Sequence, residues 1–272
     1  MEDFAGRIAV ITGAGSGIGR ATAIRLGRER AKLHLADIDA SAVEAVREEI
    51  EGRGGTATAH VVDCSDPAAV EAFAEAVFAQ DGRVDVLHNN AGIGHGGDVE
   101  RTTVEDWQRV IGVNLLGVAY GIAAFVPRML AAGGPAAIVN TASLAGLVAA
   151  PQMAPYSASK FGVVGMSEAL DSELRDRGIR VTAVCPGIID TPIVSTALLR
   201  GEVEGRREEI VEMYRKRGTS PDAVADAVVA AIRRPRLVQP VPAGSVRAIW
   251  LLKRLSPRAA QFVVRALSKL RP

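Results

Sequence analysis

Tyr156 and Lys160 stand four residues apart in a stretch with helical periodicity, so both side chains share one helix face. That pair offers acid–base chemistry. A free tyrosine has a pKa near 10, and ionising it at neutral pH costs about 4 kcal/mol. A lysine cation about 5 Å away offsets roughly 3 kcal/mol of this at an effective dielectric of about 20. A tyrosine held so can take the proton of an alcohol or return one to a carbonyl. Ser143, thirteen residues earlier, follows a strand-like run, where its hydroxyl can donate to an oxygen on which negative charge develops. Taken singly these residues are ordinary: most Tyr–Lys pairs at this spacing lie on surfaces, and most serines at strand ends cap turns.

A second set of residues gives the pair a context. The run Thr12-Gly13-Ala14-Gly15-Ser16-Gly17-Ile18-Gly19 lies between a strand pattern and a helix pattern. Glycines there let the backbone turn sharply and approach a pyrophosphate, and the helix N-terminus offers free N–H groups to it. About twenty residues on, Asp37 ends a second strand pattern, where a carboxylate accepts the ribose hydroxyls of an adenosine. A 2′-phosphate would meet like charge at Asp37, and neither Ser16 nor Ile38 supplies a cation for it. NAD is therefore expected over NADP.

These residues need a scaffold, and the chain's periodicity supplies one. Apolar runs predict strands at 7–12, 31–36, 56–62, 84–89, 136–140 and 180–185, with a short seventh at 237–239. Helices are predicted at 17–28, 41–51 with Ser41 as N-cap, 67–80 with Asp66 capping and Pro67 in the first turn, 103–128, 156–175 and 221–233. The alternation reads as a single-domain α/β fold, a doubly wound parallel sheet of about seven strands with helices on both faces. Residues 1–234 would form the Rossmann-type unit, and 235–272 a basic, helical C-terminal extension that is not an independent domain. In such sheets ligands bind at the carboxyl ends of the strands, which brings Ser143, Asn89 to Gly92, and Pro186-Gly187 together.

With these motifs in order, the sequence resembles the short-chain dehydrogenase/reductase family. The resemblance rests on the glycine run, Asp63, Asn89-Asn90-Ala91-Gly92, Asn114 in Val-Asn-Leu-Leu-Gly, Ser143, Tyr156-Ser157-Ala158-Ser159-Lys160, and Pro186-Gly187 with Thr191. It implies an NAD(P)-dependent oxidoreductase with Ser143, Tyr156 and Lys160 as catalytic residues and Asn114 as a fourth, holding a helix kink and a water. It also carries cofactor contacts onto Gly13, Ser16, Gly17, Ile18, Gly19, Asp37, Asp63, Cys64, Asn90, Ala91, Gly92, Tyr156, Lys160, Pro186, Gly187, Ile189 and Thr191. A homodimer or homotetramer is implied as well. The expected reaction moves a hydride between nicotinamide and a secondary alcohol or ketone. A reductase of 3-oxoacyl groups on a carrier protein or CoA, using NADPH, is the enzymatic rival, and Asp37 argues against it. A dinucleotide-sensing or membrane-docked binding protein without turnover is the rival of another class, and the intact Ser143, Tyr156, Lys160 set argues against that.

Composition bounds the rest. With 272 residues, 48% hydrophobic and 23% charged, the chain can bury an ample core. Pro127-Arg128, Gly133 to Pro135 and Pro151 interrupt the apolar stretches, so no membrane span is expected. The acidic start gives no secretory signal, and a cytoplasmic address, peripheral to a membrane at most, is the default. Cys64 and Cys185 read as buried, reduced thiols. His34, His60 and His88 fall in strands or at their ends and read as packed or hydrogen-bonded, not as metal ligands; His95 has a course to the site's mouth open to it, though packing is its plainer reading. Specificity is expected from the loop 144–155, where Gln152 is the obvious uncharged hydrogen-bonding group, and from a lid at 188–219 carrying Leu198, Leu199, Ile210, Met213 and Tyr214. Their character favours a lipophilic alcohol or ketone.

The formal charge of +1 hides an asymmetry. From Ala227 onward there are ten Arg and Lys and no acid, leaving a net of −9 on the preceding residues. Ser256-Pro257 predicts a last helix with Ala259, Phe262, Val263, Ala266, Leu267 and Leu270 as its apolar stripe and Arg258, Gln261, Arg265 and Ser268 facing away. Packing on the body or a neighbouring subunit, with the cations toward the acidic body, is the first reading of this tail, and a membrane-surface helix the second. Nucleic acid is not expected as a partner, since eleven aromatics in the whole chain provide little for stacking.

Overall fold

Strands β1 (Ile8–Thr12), β2 (Lys32–Asp37), β3 (Thr56–Val61) and β4 (Val86–Asn89) build the first half of the sheet. The second half adds β6 (Ala136–Thr141), β7 (Ile179–Pro186) and β9 (Val238–Val241), in a computed structural model that describes residues 3–269. All pairings are parallel, in the order β3-β2-β1-β4-β6-β7-β9. The order reverses between β1 and β4, and the crevice outside their carboxyl ends is where such a sheet receives a ligand. Side chains alternate between the faces: Ala9 and Ile11 join one core, Ile8 and Val10 the other.

Helices α1 (Gly17–Arg28), α2 (Ala40–Glu51) and α9 (Pro221–Arg233) bury Leu26, Val46 and Val228 on the first face. On the second lie α3 (Pro67–Asp81), α5 (Gly117–Ala132) and α6 (Ala154–Leu174), contributing Phe73, Phe125 and Leu174. The single-domain α/β expectation holds. Asp66 caps α3 as expected. The cap of α2 is Asp39, not Ser41: its carboxylate accepts from both Ser41 N and Ala42 N at 3.0 Å, and the Ser41 hydroxyl donates to the same oxygen. The predicted helix 103–128 is divided, with α4 (Val104–Ile111) joined to α5 by a π-helical turn, Gly112–Leu116. Neither Pro127 nor Arg128 ends it; α5 continues to Ala132. By length and composition the segment Val104–Ala132 would cross a membrane, contrary to the sequence reading, yet Val110, Val118, Phe125 and Met129 are packed inside the fold.

Two short strands absent from the prediction, β5 (His95–Gly97) and β8 (Leu198–Arg200), pair in parallel outside the main sheet. Beyond β8 come α7 (Glu202–Gly205) and α8 (Arg207–Arg217), which lie within the segment 188–219 expected to act as a lid. Its base is closed where Asp190 N donates to Thr219 O and Thr219 N to Ile188 O.

The tail forms α10 (Ala243–Leu255) and α11 (Pro257–Lys269), which pack on the body through Val246, Ile249, Trp250 and Val264. The stripe is displaced from the predicted one. Ala260 is fully buried and Ala259, Val263 and Val264 half-buried, while Ala266 is exposed and Phe262 is 75% exposed. Gln261, expected outside, is half-buried and points an amide at Ala149 O; the Leu267 side chain and Leu270 lie outside the described residues. Nor does every tail cation meet an acid, since Lys253 donates to Leu147 O at 2.8 Å and sits 4.0 Å over the Phe161 ring.

Asp171, fully buried on α6, anchors that helix to β7. It accepts from Arg180 Nε and Val181 N, each at 3.0 Å, and from Arg175. Burial pushes its carboxyl up, but Arg180, the Val181 N–H and Arg175 together hold it below the usual carboxylate range. A depressed folded-state pKa stabilises above the unfolded value, near 3.9, and that stability is lost as pH falls through the folded value. Asp171→Asn should cost about 2–3 kcal/mol at neutral pH. In urea melts the gap from wild type should narrow as the pH falls below 4.

Candidate active site

At the switch point, β1 runs into a loop whose backbone must double back. Gly13 has φ +63°, and a Cβ there would lie 2.8 Å from Ala91 Cα. Gly19 sits behind the loop on α1, where a Cβ would meet Gly13 O at 2.0 Å, so its contribution is close packing and not a place on the cavity wall. Asn90, past the end of β4, donates from Nδ2 to Thr12 O and Gly13 O at 3.1 Å, and its own N–H donates to Thr12 Oγ1 at 2.9 Å. Thr12, which sequence reasoning passed over, thus ties the two sides of the crevice. Its signal was its place just before the first glycine.

A cavity of about 1050 Å³ opens above this junction, at the upper end of the range of about 300–1,000 Å³ common for ligand sites. Gly13, Ser16, Gly17 and Ile18 line its floor, and Asp37, Asp63 and Cys64 one flank. Asn90, Ala91, Gly92, Pro186, Gly187, Ile189 and Thr191 also reach it, as do Ser143, Tyr156 and Lys160. Two of the residues assigned by resemblance, Gly19 and Asn114, are outside its wall.

The floor fits a dinucleotide. Ser16 caps α1 without a side-chain hydrogen bond and the first turn holds no acid, so its N–H groups face the cavity with no protein anion upon them. Asp37 is held in place by Gly15 N at 2.8 Å and Asp39 N at 3.0 Å, leaving lone pairs for further donors. Asp63 accepts from Ser65 N and Oγ at 2.8 and 2.7 Å. Burial raises the Cys64 thiol to about 12, which makes it an inert wall residue.

Tyr156 and Lys160 rise one turn apart on α6. Lys160 is 2% exposed, donates from Nζ to Thr141 O at 2.8 Å and lies 5.8 Å from the centre of the Tyr156 ring. Burial pushes Tyr156 up to about 12 against the pull of a hydrogen bond to Ser143, and it pushes Lys160 down to about 8. This differs from the sequence estimate, in which the cation alone nearly freed the phenol. Desolvation is the leading cause of both shifts, disfavouring the charged form of each group. At neutral pH Lys160 still carries its proton.

Ser143 caps a short 3-10 turn, Leu144–Gly146, accepting from Ala145 N at 3.1 Å. Asn114 occupies the π-helical turn, fully buried. Its Oδ1 accepts from Ile93 N at 2.8 Å, and its Nδ2 donates to Ile93 O at 3.0 Å and Ser159 Oγ at 3.3 Å. It therefore clamps the backbone after Gly92 to the helix carrying Lys160.

The outer wall is largely apolar. Leu199, Ile210, Met213 and Tyr214 of the lid line it, with Val264 of α11, whereas Leu198 does not. Gln152 reaches the cavity, but its amide donates to Asp98 Oδ1 at 2.7 Å. His95, 3% exposed, is on the wall too, and both its ring nitrogens lack a partner among the described residues. Burial lowers its pKa and so favours the neutral ring. Beside it Arg200 grips Asp106 at 2.7 and 3.0 Å, a long-range pair no sequence spacing announced.

Three comparisons bear on this geometry. A sequence model described as short chain dehydrogenase matches residues 7–199. The chain is 40% identical over 268 residues to the probable oxidoreductase EphD of Mycobacterium tuberculosis, covering 96% of this chain but 45% of that protein, so it spans about half the length of that relative. A cyclohexanol dehydrogenase of an Acinetobacter species is 42% identical over 193 residues, covering 71% of this chain and 76% of its own. Among solved structures, a short chain dehydrogenase/reductase from Burkholderia phymatum in complex with NAD superposes with a TM-score of 0.88 at 33% identity, over 96% of this chain and 97% of that one.

Proposed function

The chain belongs to the short-chain dehydrogenase family, and from that premise we propose that it is an NAD-dependent dehydrogenase of lipophilic secondary alcohols, with Tyr156 as general acid/base. The observation that carries the reading is the convergence of Ser143, Tyr156 and Lys160 on one cavity whose floor fits a dinucleotide.

When bound, the nicotinamide supplies the hydride acceptor and, oxidised, a positive charge. The chain's own residues do the rest. Ser143 donates to the substrate oxygen as negative charge gathers on it. Tyr156 Oη takes the alcohol's proton, or gives one to a ketone in the reverse direction. Lys160 keeps a cation within reach of that oxygen and lowers the cost of ionising it, and Thr141 O orients the ammonium. Asn114 holds the backbone beside Gly92 and so keeps Lys160 and the cofactor floor in register.

The choice of NAD rests on Asp37. Its carboxylate is fixed by two backbone N–H groups at the end of β2, and the next residue, Ile38, is 67% exposed and brings no cation. Asp37→Ser should weaken NADH binding by about tenfold to a hundredfold, the loss of charge-assisted bonds to the ribose, and should relieve the repulsion of NADPH. Fluorescence titration of both cofactors checks this. Wild-type protein binding NADPH as tightly as NADH would overturn the assignment and favour a 3-oxoacyl reductase.

The cavity's outer half supports an apolar substrate. Leu199, Ile210, Met213 and Val264 offer no hydrogen bonds and Gln152 is engaged with Asp98, while His95 supplies a buried polar group for a single substrate oxygen and Glu105, Arg109 and Arg206 also reach the wall. Initial rates on cyclic and long-chain secondary alcohols, set against polyols and phosphorylated sugars, test this. Faster turnover of the polar series would exclude it.

A further inference from the structure

α10 and α11 turn one flank to the body and leave the other bare. Along α10 the exposed positions include Arg247, Leu251, Arg254, which lies 5.5 Å over the Trp250 ring, and Leu255; along α11 they include Arg258 and Phe262. Leu255 is 86% exposed and Phe262 75%, the largest exposures of an aliphatic and an aromatic side chain among the exposed large hydrophobics. Each stands beside an arginine one turn or less away. The inner flank, with Val246 and Ala260 buried and Trp250 and Val264 half-buried, carries the packing of these helices, while Leu255 and Phe262 stand largely in solvent.

Charge limits what can cover such a face. From Ala227 to the end of the sequence there is no acidic residue. A second copy meeting this face through a twofold axis would set arginine against arginine, at a cost in every such pair. An anionic surface with an apolar interior has the matching chemistry: phosphates for the guanidinium groups and an acyl boundary for leucine and phenylalanine. Position adds a second argument. Val264, on the inner flank of α11, is part of the wall of the substrate cavity, and Gln261 and Lys253 hold the carbonyls of Ala149 and Leu147 in the loop beside it. The bare face and the cavity are two sides of one helix.

We infer that the outer face of α10 and α11 docks on an anionic lipid surface, with Leu255 and Phe262 entering the acyl boundary and Arg247, Arg254 and Arg258 lying among the headgroups. A lipophilic alcohol dissolved in that membrane then has a short path to the cavity behind α11.

The test is co-sedimentation of the full chain with vesicles of phosphatidylcholine alone and of phosphatidylcholine mixed with phosphatidylglycerol. Binding to the mixed vesicles should exceed binding to the neutral ones by at least about tenfold at low salt and fall as salt is added. The double variant Leu255→Glu, Phe262→Glu should lose that binding, with its melting temperature and its turnover of a water-soluble alcohol unchanged. No wild-type binding to anionic vesicles would overturn the inference, as would binding that survives in the double variant. If wild-type protein ignores vesicles and the double variant dissociates an oligomer in light scattering, the face is a subunit contact and the inference fails.

Discussion

Tyr156→Phe is expected to lower kcat for alcohol oxidation by about a hundredfold to ten-thousandfold, the range general acid–base catalysis spans. The ring stays, with its packing on α6, and only the oxygen that Ser143 engages is lost. NADH affinity and melting temperature should therefore hold within measurement. The deficit should appear in kcat and in kcat/KM together, since the proton moves only in the transition state. Turnover within about threefold of wild type would place the base elsewhere, and the family's chemistry would have to run through another residue here.

Lys160→Met should cost nearly as much and leave a distinct trace. Methionine fills the volume, but the ammonium disappears from a site where burial already holds Tyr156 near 12. A cation 5.8 Å from the ring centre is worth roughly 3 kcal/mol at an effective dielectric near 20, or about 2 pH units on its neighbour. The rise of oxidation rate with pH reports the tyrosinate, so losing the cation moves that rise to more alkaline pH. At neutral pH the loss should be about a hundredfold or more, part of it recovered as pH climbs. A variant that lost activity evenly at every pH would show that Lys160 supports the fold or the cofactor and not the phenol. Thr141 O also loses its donor in this variant, so a melting curve belongs beside the pH profile.

Much of this was legible because the chemistry sits on regular elements. The glycine run, Asp37, Tyr156 and Lys160 belong to strand ends and helix starts, where a period of 2 or 3.6 fixes which way a side chain goes, and α1 and α9 fall on their predicted bounds. What escaped was set by tertiary contacts. Nothing in the run His95-Gly96-Gly97 has strand character; it becomes β5 because Leu198–Arg200 arrives beside it from a hundred residues away. The tail's apolar stripe was misplaced for a related reason. Helical spacing allows both Ala259 and Ala260 as the inward position, and the choice is made by tertiary packing, where Val264 joins the core cluster and Gln261 meets Ala149 O. The π-helical turn at Asn114 leaves no mark in the local periodicity, which reads as plain helix; only the resemblance pointed to a kink there, and its cause is the pair of bonds between the Asn114 amide and the Ile93 backbone. Tyr156 and Lys160 share one helix face and reach the cavity as their spacing predicts, while burial, which raises the phenol and lowers the ammonium, is invisible to spacing because spacing says nothing about how much water remains.

The β5–β8 ladder has a kinetic consequence. It stitches the near end of the lid to the strand that carries His95, and Arg200 adds its grip on Asp106. At the far end Thr219 is bridged to Ile188 and Asp190. If residues 188–219 close over the site as the sequence led us to expect, these fastenings would leave residues 201–218 as the stretch able to swing, with glycines at both limits, Gly201 at φ +65° and Gly218. Arg207, which donates to the carbonyls of Val194, Ser195 and Ala197, would have to let go first. Were departure of product to set the pace of such a cycle, as it does in many enzymes with closing loops, breaking that three-carbonyl hold would be its slow event.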